Sequence, residues 1–180
     1  ACLKDRFTYM VEQKDEWTSS VFLELGSNMG DASTNIKRAI EKLQHNENVR
    51  LLKSSSMYVT EAWGSSSLND FHNMVVEVAT KLSPQQLLDL CLQVESNLGR
   101  SRSEAKGYEN RLIDIDLIFF EHFSCHTETL QLPHPYWSSR NFVLQPLNEI
   151  ASNFLPYNGN KKIADFVADC KDDLKVVKLE

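Results

Sequence analysis

Apolar positions recur along this chain with two different periods, and the changes of period mark its elements. Residues 1–20 carry charges and few periodic apolar positions, end in Thr18-Ser19-Ser20, and read as a leader or linker. Val21 to Leu25 is a short apolar run broken by Gly26, and predicts a strand. Asp31 stands where a helix cap belongs, with Ile36, Ala39, Ile40 and Leu43 following at helical spacing. Val49 to Val59 mixes β-branched, apolar and serine residues and is expected to form a second strand. A loop from Thr60 to Asp70 then precedes a third strand from Phe71 to Thr80.

The second helix is signalled more sharply. Ser83 supplies the cap, Pro84 the first turn and Gln86 the far half of a capping box. Leu87, Cys91, Val94 and Leu98 form its apolar stripe, and Gly99 ends it. A polar loop runs from Arg100 to Arg111, and Leu112 to Phe120 predicts a fourth strand. The order βαββαβ is that of a ferredoxin-like α/β (α+β) core. Beyond it the chain holds Pro-containing turns, a short helix near Ile163 to Cys170 and a strand candidate at Val176-Val177, so extra C-terminal strands and a helix are expected.

Composition narrows the picture. A chain of 180 residues suits one domain, expected over residues 21–180. The net charge of −6 argues against a partner gripped through nucleic-acid phosphates, though a few arginines on one loop can still build a local anion site. No apolar run approaches the roughly 18 residues that span a bilayer, so no membrane association is expected. Cys2, Cys91, Cys125 and Cys170 lie far apart without CxxC spacing and read as reduced thiols, which predicts a cytoplasmic location. The chain starts at Ala1 and its first methionine is Met10, which is consistent with a piece of a longer polypeptide.

Four segments carry candidate chemistry. In ENRLIDIDLIFF, residues 109–120, strand alternation turns Asp114 and Asp116 to one face and Ile113, Ile115 and Leu117 to the other. Two carboxylates on one face of an apolar strand repel each other and lose hydration, which suggests a compensating hard cation such as Mg2+; the plain alternative is a sheet edge with two solvated aspartates. Arg100, Arg102 and Arg111 bracket a loop containing Gly107 and Tyr108 just before that strand, and guanidinium groups bind phosphate two-pronged. In LPHPYWSSRNFVLQPLNEIA, residues 132–151, His134 sits between prolines, Arg140 adds a cation and Phe142 a flat apolar surface. Phe71 and Asn73 share a strand face near Thr60 and Trp63, a ring beside an amide, suited to stacking on and reading a flat heterocycle.

LGSNMGD at 25–31, SMYVTEAWG at 56–64, the Phe71–Asn73 pair, GRSR at 99–102, NRLIDIDLIFF at 110–120 and the LPHP block stand in an order that resembles the 6-hydroxymethyl-7,8-dihydropterin pyrophosphokinases, over roughly residues 21–155. That resemblance implies transfer of pyrophosphate from ATP to the pterin hydroxymethyl group, releasing AMP, in tetrahydrofolate biosynthesis. It implies Asp114 and Asp116 as Mg2+ ligands, and Arg100 and Arg111, with the two aspartates, as catalytic groups. Glu95, Arg100, Arg102, Arg111, His134 and Arg140 are implied on ATP, and Thr60, Trp63, Phe71, Asn73, Asp114 and Phe142 around the pterin. Fusion to other folate-pathway enzymes is a further expectation.

The remaining blocks have plainer readings. His122, Cys125 and His126 cluster but lack the acid needed to close a metal site, and Lys171, Asp172 and Asp173 read as a solvated tail. LGSNMGD lacks the Lys-Ser/Thr of a P-loop and reads as a capped strand-to-helix turn. An RNA-binding module built on the same βαββαβ order would want aromatic residues on its central strands in a basic setting, whereas acidic residues stand there. A magnesium-dependent nuclease or nucleotidyl transferase using the Asp pair is the other alternative.

Overall fold

We describe a computed structural model of the chain, covering residues 8–61, 69–100, 110–156 and 159–180. β1 (Thr18–Ser27) is the strand on which the rest is built. It pairs antiparallel with β4 (Phe71–Thr80) on one side and with β5 (Asp114–Phe120) on the other. Being central, it is buried on both faces: Val21, Leu23 and Leu25 point one way, Phe22 and Glu24 the other, none more than 3% exposed. β2 (Val49–Ser54) and β3 (Tyr58–Thr60) pair with successive halves of β4, and β8 (Val176–Lys178) adds to β3. The sheet order β5-β1-β4-β3-β8, with β2 also on β4, contains the expected ferredoxin-like arrangement. β6 (Cys125–His126) and β7 (Gln131–Leu132) form a separate ribbon.

Helices cover both faces. α1 (Ala32–Gln44) and α2 (Pro84–Asn97) pack Ile36, Ala39, Leu43, Leu87, Cys91 and Val94 against Val21, Leu23, Leu25, Val76, Val78 and Ile115. Their starts follow from local chemistry. Asp31 accepts hydrogen bonds from the Thr34 backbone N–H and hydroxyl, and Ser83 and Gln86 close a full capping box. On the opposite face, α3 (Asn141–Ala151) and α4 (Ile163–Asp169) bury Val143, Leu144, Leu147 and Ile163 against Phe22, Val75, Ile118 and Phe119.

Several boundaries differ from the sequence expectation, each for a local reason. β1 begins at Thr18, and within residues 8–17 Tyr9 and Met10 pack on the core, Tyr9 donating to Glu121 at 2.5 Å and the Lys14 N–H to Lys81 O at 2.7 Å. The stretch Val49 to Val59 is not one strand, because the Ser55 hydroxyl takes the Val75 N–H that a ladder carbonyl would otherwise receive. β5 starts at Asp114 rather than Leu112, since Leu112 O accepts the Ser27 hydroxyl and Arg111 bonds Asn28 through both its N–H and its C=O. α3 falls where turns were expected. Its apolar residues keep helical spacing, and the interior Pro146 removes only the N–H that would have bonded the Phe142 carbonyl.

Glu149 of α3 is the clasp between this second layer and the sheet edge. Its carboxylate accepts from the Ser56 N–H and hydroxyl, the Tyr58 hydroxyl at 2.8 Å and Lys178 at 3.0 Å. Burial alone would push its pKa up, but these hydrogen bonds outweigh it and bring the group from its ordinary 4.5 to about 2. A depressed folded pKa stabilises the protein above pH 4.5, and that contribution fades as pH falls toward 2. Glu149→Gln is therefore expected to lower Tm at pH 7, with the gap to the parent closing progressively in scans run from pH 5 downward.

Candidate active site

Strand register assembles the site. On the face shared with α3 and α4, Asp116, Glu24 and Val75 form one row across β5, β1 and β4, and Asp114, Gly26, Asn73 and Tyr58 form the next. α3 covers the Phe22–Phe119 end of this face, with Val75, and reaches Tyr58 through Glu149, so that Asp116, Glu24, Asp114, Gly26 and Asn73 open into a cleft of about 530 Å³. Phe71 and Phe142 line it, as do Thr60, Arg111, Arg140, Tyr136 and Asp172. The bare backbone of Gly26 is its floor: a Cβ there would lie 3.3 Å from Asn73 Oδ1 and 3.5 Å from Glu24 Oε1.

The charges are unevenly matched. Arg100, just past the end of α2, bridges Asp114 at 2.5 Å and Glu95 at 2.6 Å, and Arg111 bonds the other Asp114 oxygen. Burial works to raise the Asp114 pKa, yet the two guanidinium groups prevail and hold it below the ordinary value. Among the described residues Asp116 has no such partner. Burial, followed by repulsion from Asp114, lifts it from 3.8 to about 6. His134 Nε2 lies 3.8 Å from Asp116, but burial and the Arg140 charge lower its pKa to about 4, so the imidazole is neutral at pH 7. Glu24 is pushed well above the usual carboxylate range by burial, then by Asp116 and Asp114.

The structure brings together Thr60, Phe71, Asn73, Arg100, Arg111, Asp114, Asp116, His134, Arg140 and Phe142, and gives each a local cause. The Asn73 amide donates to Thr60 Oγ1 at 2.8 Å, the His134 backbone N–H bonds Ile118 O, and the Arg140 guanidinium lies over the Phe142 and Tyr136 rings. Glu95 is buried beneath the site, where its Oε1 takes the Ile115 N–H at 2.8 Å while Oε2 pairs with Arg100. Trp63, Arg102, Gly107 and Tyr108 lie outside the described residues. Asp172 is no solvated tail residue: it accepts the Asn141 N–H at the start of α3 and lines the cleft. His122 stacks on Phe154 at 5.8 Å. Sequence reasoning missed Glu24, Tyr136 and Asp172. For Glu24 a signal existed, a single charged residue in the middle of an apolar strand run.

A split sheet face carrying paired carboxylates, with arginines ion-paired to one of them, beside a ring-and-amide cleft, has the groups that a transferase for phosphoryl-type groups needs. Comparison with known proteins agrees. Residues 22–152 match the model of the 7,8-dihydro-6-hydroxymethylpterin-pyrophosphokinase (HPPK) family, and the chain belongs to that family. The 2-amino-4-hydroxy-6-hydroxymethyldihydropteridine pyrophosphokinase of Bacillus subtilis is 40% identical over 129 residues, 72% of this chain and 76% of its own length. The Aquifex aeolicus enzyme of the same name is 36% identical over 148 residues, 82% of this chain and 90% of its own. Among solved structures, Plasmodium falciparum HPPK-DHPS superposes with a TM-score of 0.68 at 16% identity, over 91% of this chain, which spans 47% of that longer one. Pyrophosphoryl transfer from ATP to hydroxymethyldihydropterin, a step of folate biosynthesis, is the activity this membership assigns.

The two aspartates have opposite roles in stability. Asp114 neutralises two guanidinium groups, so Asp114→Asn should destabilise the ligand-free protein by roughly 1–3 kcal/mol. Asp116→Asn removes a carboxylate that is buried next to like charge, so its Tm at pH 7 should equal or exceed the parent's. Thermal denaturation of both variants without ligands checks this; an equal loss in both would mean that Asp116 also has a cationic partner.

Proposed function

We propose that the family's reaction runs in the cleft between Phe71 and Phe142, where Asp114 and Asp116 would hold Mg2+ beside the ATP phosphates. The observation that carries this reading is the pair of carboxylates on the same open sheet face as Phe71 and Asn73, with Arg100 and Arg111 already on Asp114. The donor set suits a hard cation, because among the described residues Asp116 forms no ion pair with an arginine or lysine. Among the described residues no three acidic, His or Cys side chains gather closely enough to hold a metal alone, which suits an ion completed by phosphate oxygens and water. Bound there, Mg2+ would neutralise phosphate charge.

The chain's own groups do the rest. The pterin lies between the Phe71 and Phe142 rings, its edge read by Asn73, whose amide orientation is fixed by Thr60. Its hydroxymethyl oxygen forms the new bond to the β-phosphorus and releases its proton to water, the bond from that phosphorus to the α-phosphate oxygen breaks, and AMP leaves. Arg100 and Arg111 turn from Asp114 to the transferring group and offset charge that grows during transfer, the kind of positioning and electrostatic help such reactions need. Arg140 and the neutral His134 contact the nucleotide. Trp63 and Arg102 keep the pterin and ATP roles that the family resemblance implies, and a cytoplasmic location belongs to the same reading. Relatives include Folic acid synthesis protein FOL1 of Dictyostelium discoideum, of which the matched region is 20%, so we further infer that this domain works within or beside other folate enzymes.

Incubation with ATP, Mg2+ and 6-hydroxymethyl-7,8-dihydropterin, followed by mass spectrometry, should yield AMP and the pterin diphosphate. Asp116→Ala should cut turnover by about 100-fold or more; near-parental rates in that variant at saturating Mg2+ would remove Asp116 from the chemistry.

Phe142→Ala should weaken pterin binding by about tenfold, from lost stacking and burial, while ATP binding stays within about twofold. Calorimetric titration with each ligand separates the two. Equal losses for both would make Phe142 a support of the α3 packing instead.

A further inference from the structure

Glu24 has no place in the reaction as described so far, and nothing in the fold requires it. It stands in the middle of β1, 3% exposed, where strand alternation on a covered sheet asks for an apolar side chain. Its Oε1 is buried and has no hydrogen-bond partner in the ligand-free protein. Its row neighbours, Asp116 and Val75, offer it no donor. A buried polar atom left unsatisfied costs stability, so a carboxyl at this position acts against the fold unless a ligand completes it.

The direction of the side chain identifies what would complete it. Both Glu24 oxygens approach the space above the bare Gly26 backbone, 3.5 and 3.9 Å from where a Cβ would stand, and Asn73 Oδ1 reaches the same space at 3.3 Å. Because Asn73 Nδ2 is donated to Thr60 Oγ1, the oxygen is the part of that amide turned to the cleft. Three oxygens thus surround one small volume on the cleft floor. A group that fits there brings hydrogen-bond donors. A metal held by these side chains alone is a poor match, since no three-ligand cluster forms among the described residues.

We propose that Glu24 is a specificity-determining residue for the heterocyclic substrate, its buried oxygen accepting a ring N–H or amino hydrogen of the pterin beside Asn73. This rests on the reading that the pterin lies over Gly26 between Phe71 and Phe142. The ligand supplies the donor that the fold withholds, so the stability lost in the free protein returns as selectivity for a nitrogen-rich ring over one without that donor. Gly26 is bare because a side chain there would fill the volume the ring edge occupies.

The test uses the full chain titrated with 6-hydroxymethylpterin in the presence of Mg2+ and a non-hydrolysable ATP analogue, for the parent, Glu24→Ala, Glu24→Gln and Asn73→Ala. A hydrogen bond to a carboxyl at a buried site predicts pterin binding weakened by about tenfold or more in Glu24→Ala. Glu24→Gln, which keeps a carbonyl acceptor, should lose less. Affinity for the nucleotide with Mg2+ should stay within about twofold in both, and the ligand-free Tm should hold or rise. Unchanged pterin affinity in Glu24→Ala, with Asn73→Ala impaired, overturns this role alone. Unchanged affinity in both variants overturns the pterin site itself. Parallel losses for pterin and nucleotide, or a shifted Mg2+ requirement in Glu24→Gln, overturn the proposal by making Glu24 a structural or metal-linked residue.

Discussion

Asp114, held between Arg100 and Arg111, is the contact on which the site depends. The two arginines stand at opposite ends of one polar loop, so a single carboxylate anchors both of its ends against β5. Glu95 extends the arrangement downward, pairing with Arg100 and taking the Ile115 N–H that an edge strand would otherwise leave open. Helix α2, the loop ends and the strand are therefore joined through charge as well as through apolar packing. Charge pairs of this kind can exchange partners. Groups that neutralise Asp114 in the free protein are of the type that phosphate recruits, and binding phosphate would trade one pairing for another without building new charge into the protein.

The second constraint is the unequal cover of the sheet. One face is closed along its length by α1 and α2 and forms a continuous apolar core. The other is apolar only under α3 and α4, around Phe22, Phe119, Val75 and Leu144. Where that cover stops, the same strands change from Phe22 to Glu24, from Val75 to Asn73 and from Phe119 to Asp116. The border is set at the start of α3, where Asp172 accepts the first helical N–H and Arg140 lies against Phe142. The C-terminal stretch thus takes part in shaping the cleft, and the α3 residues that pack the second core also aim the ring of Phe142.

An inequality among carboxylates runs through this region. Asp114 is fully matched, Asp116 is not, and Glu24 lies deepest with an orphan oxygen. All three share one face of two adjacent strands, yet their surroundings push their proton affinities apart, as functional sites commonly do. Such a surface is unfavourable in the free protein, and the cation and ring donors proposed above would relieve it.

The local elements were legible from residue order because their causes are local. Asp31 and the Ser83–Gln86 pair cap helices within three residues of themselves, and the alternation in residues 113–117 turned Asp114 and Asp116 to one side whatever the rest of the chain did. The paired aspartates, the arginines before them and the Phe71–Asn73 pair could be read for the same reason. Other features depend on partners far along the chain. The break at Ser55 needs Val75, the late start of β5 needs Ser27 and Asn28, and α3 is stable despite Pro146 because it buries Val143, Leu144 and Leu147 on the sheet. Which aspartate is neutralised, and that Glu24 on β1 stands in the same row as Asp116, follows from strand register. Register is fixed by the packing of both sheet faces together, so residue order determined the chemical groups of the site, and only the tertiary structure decided which of them meet.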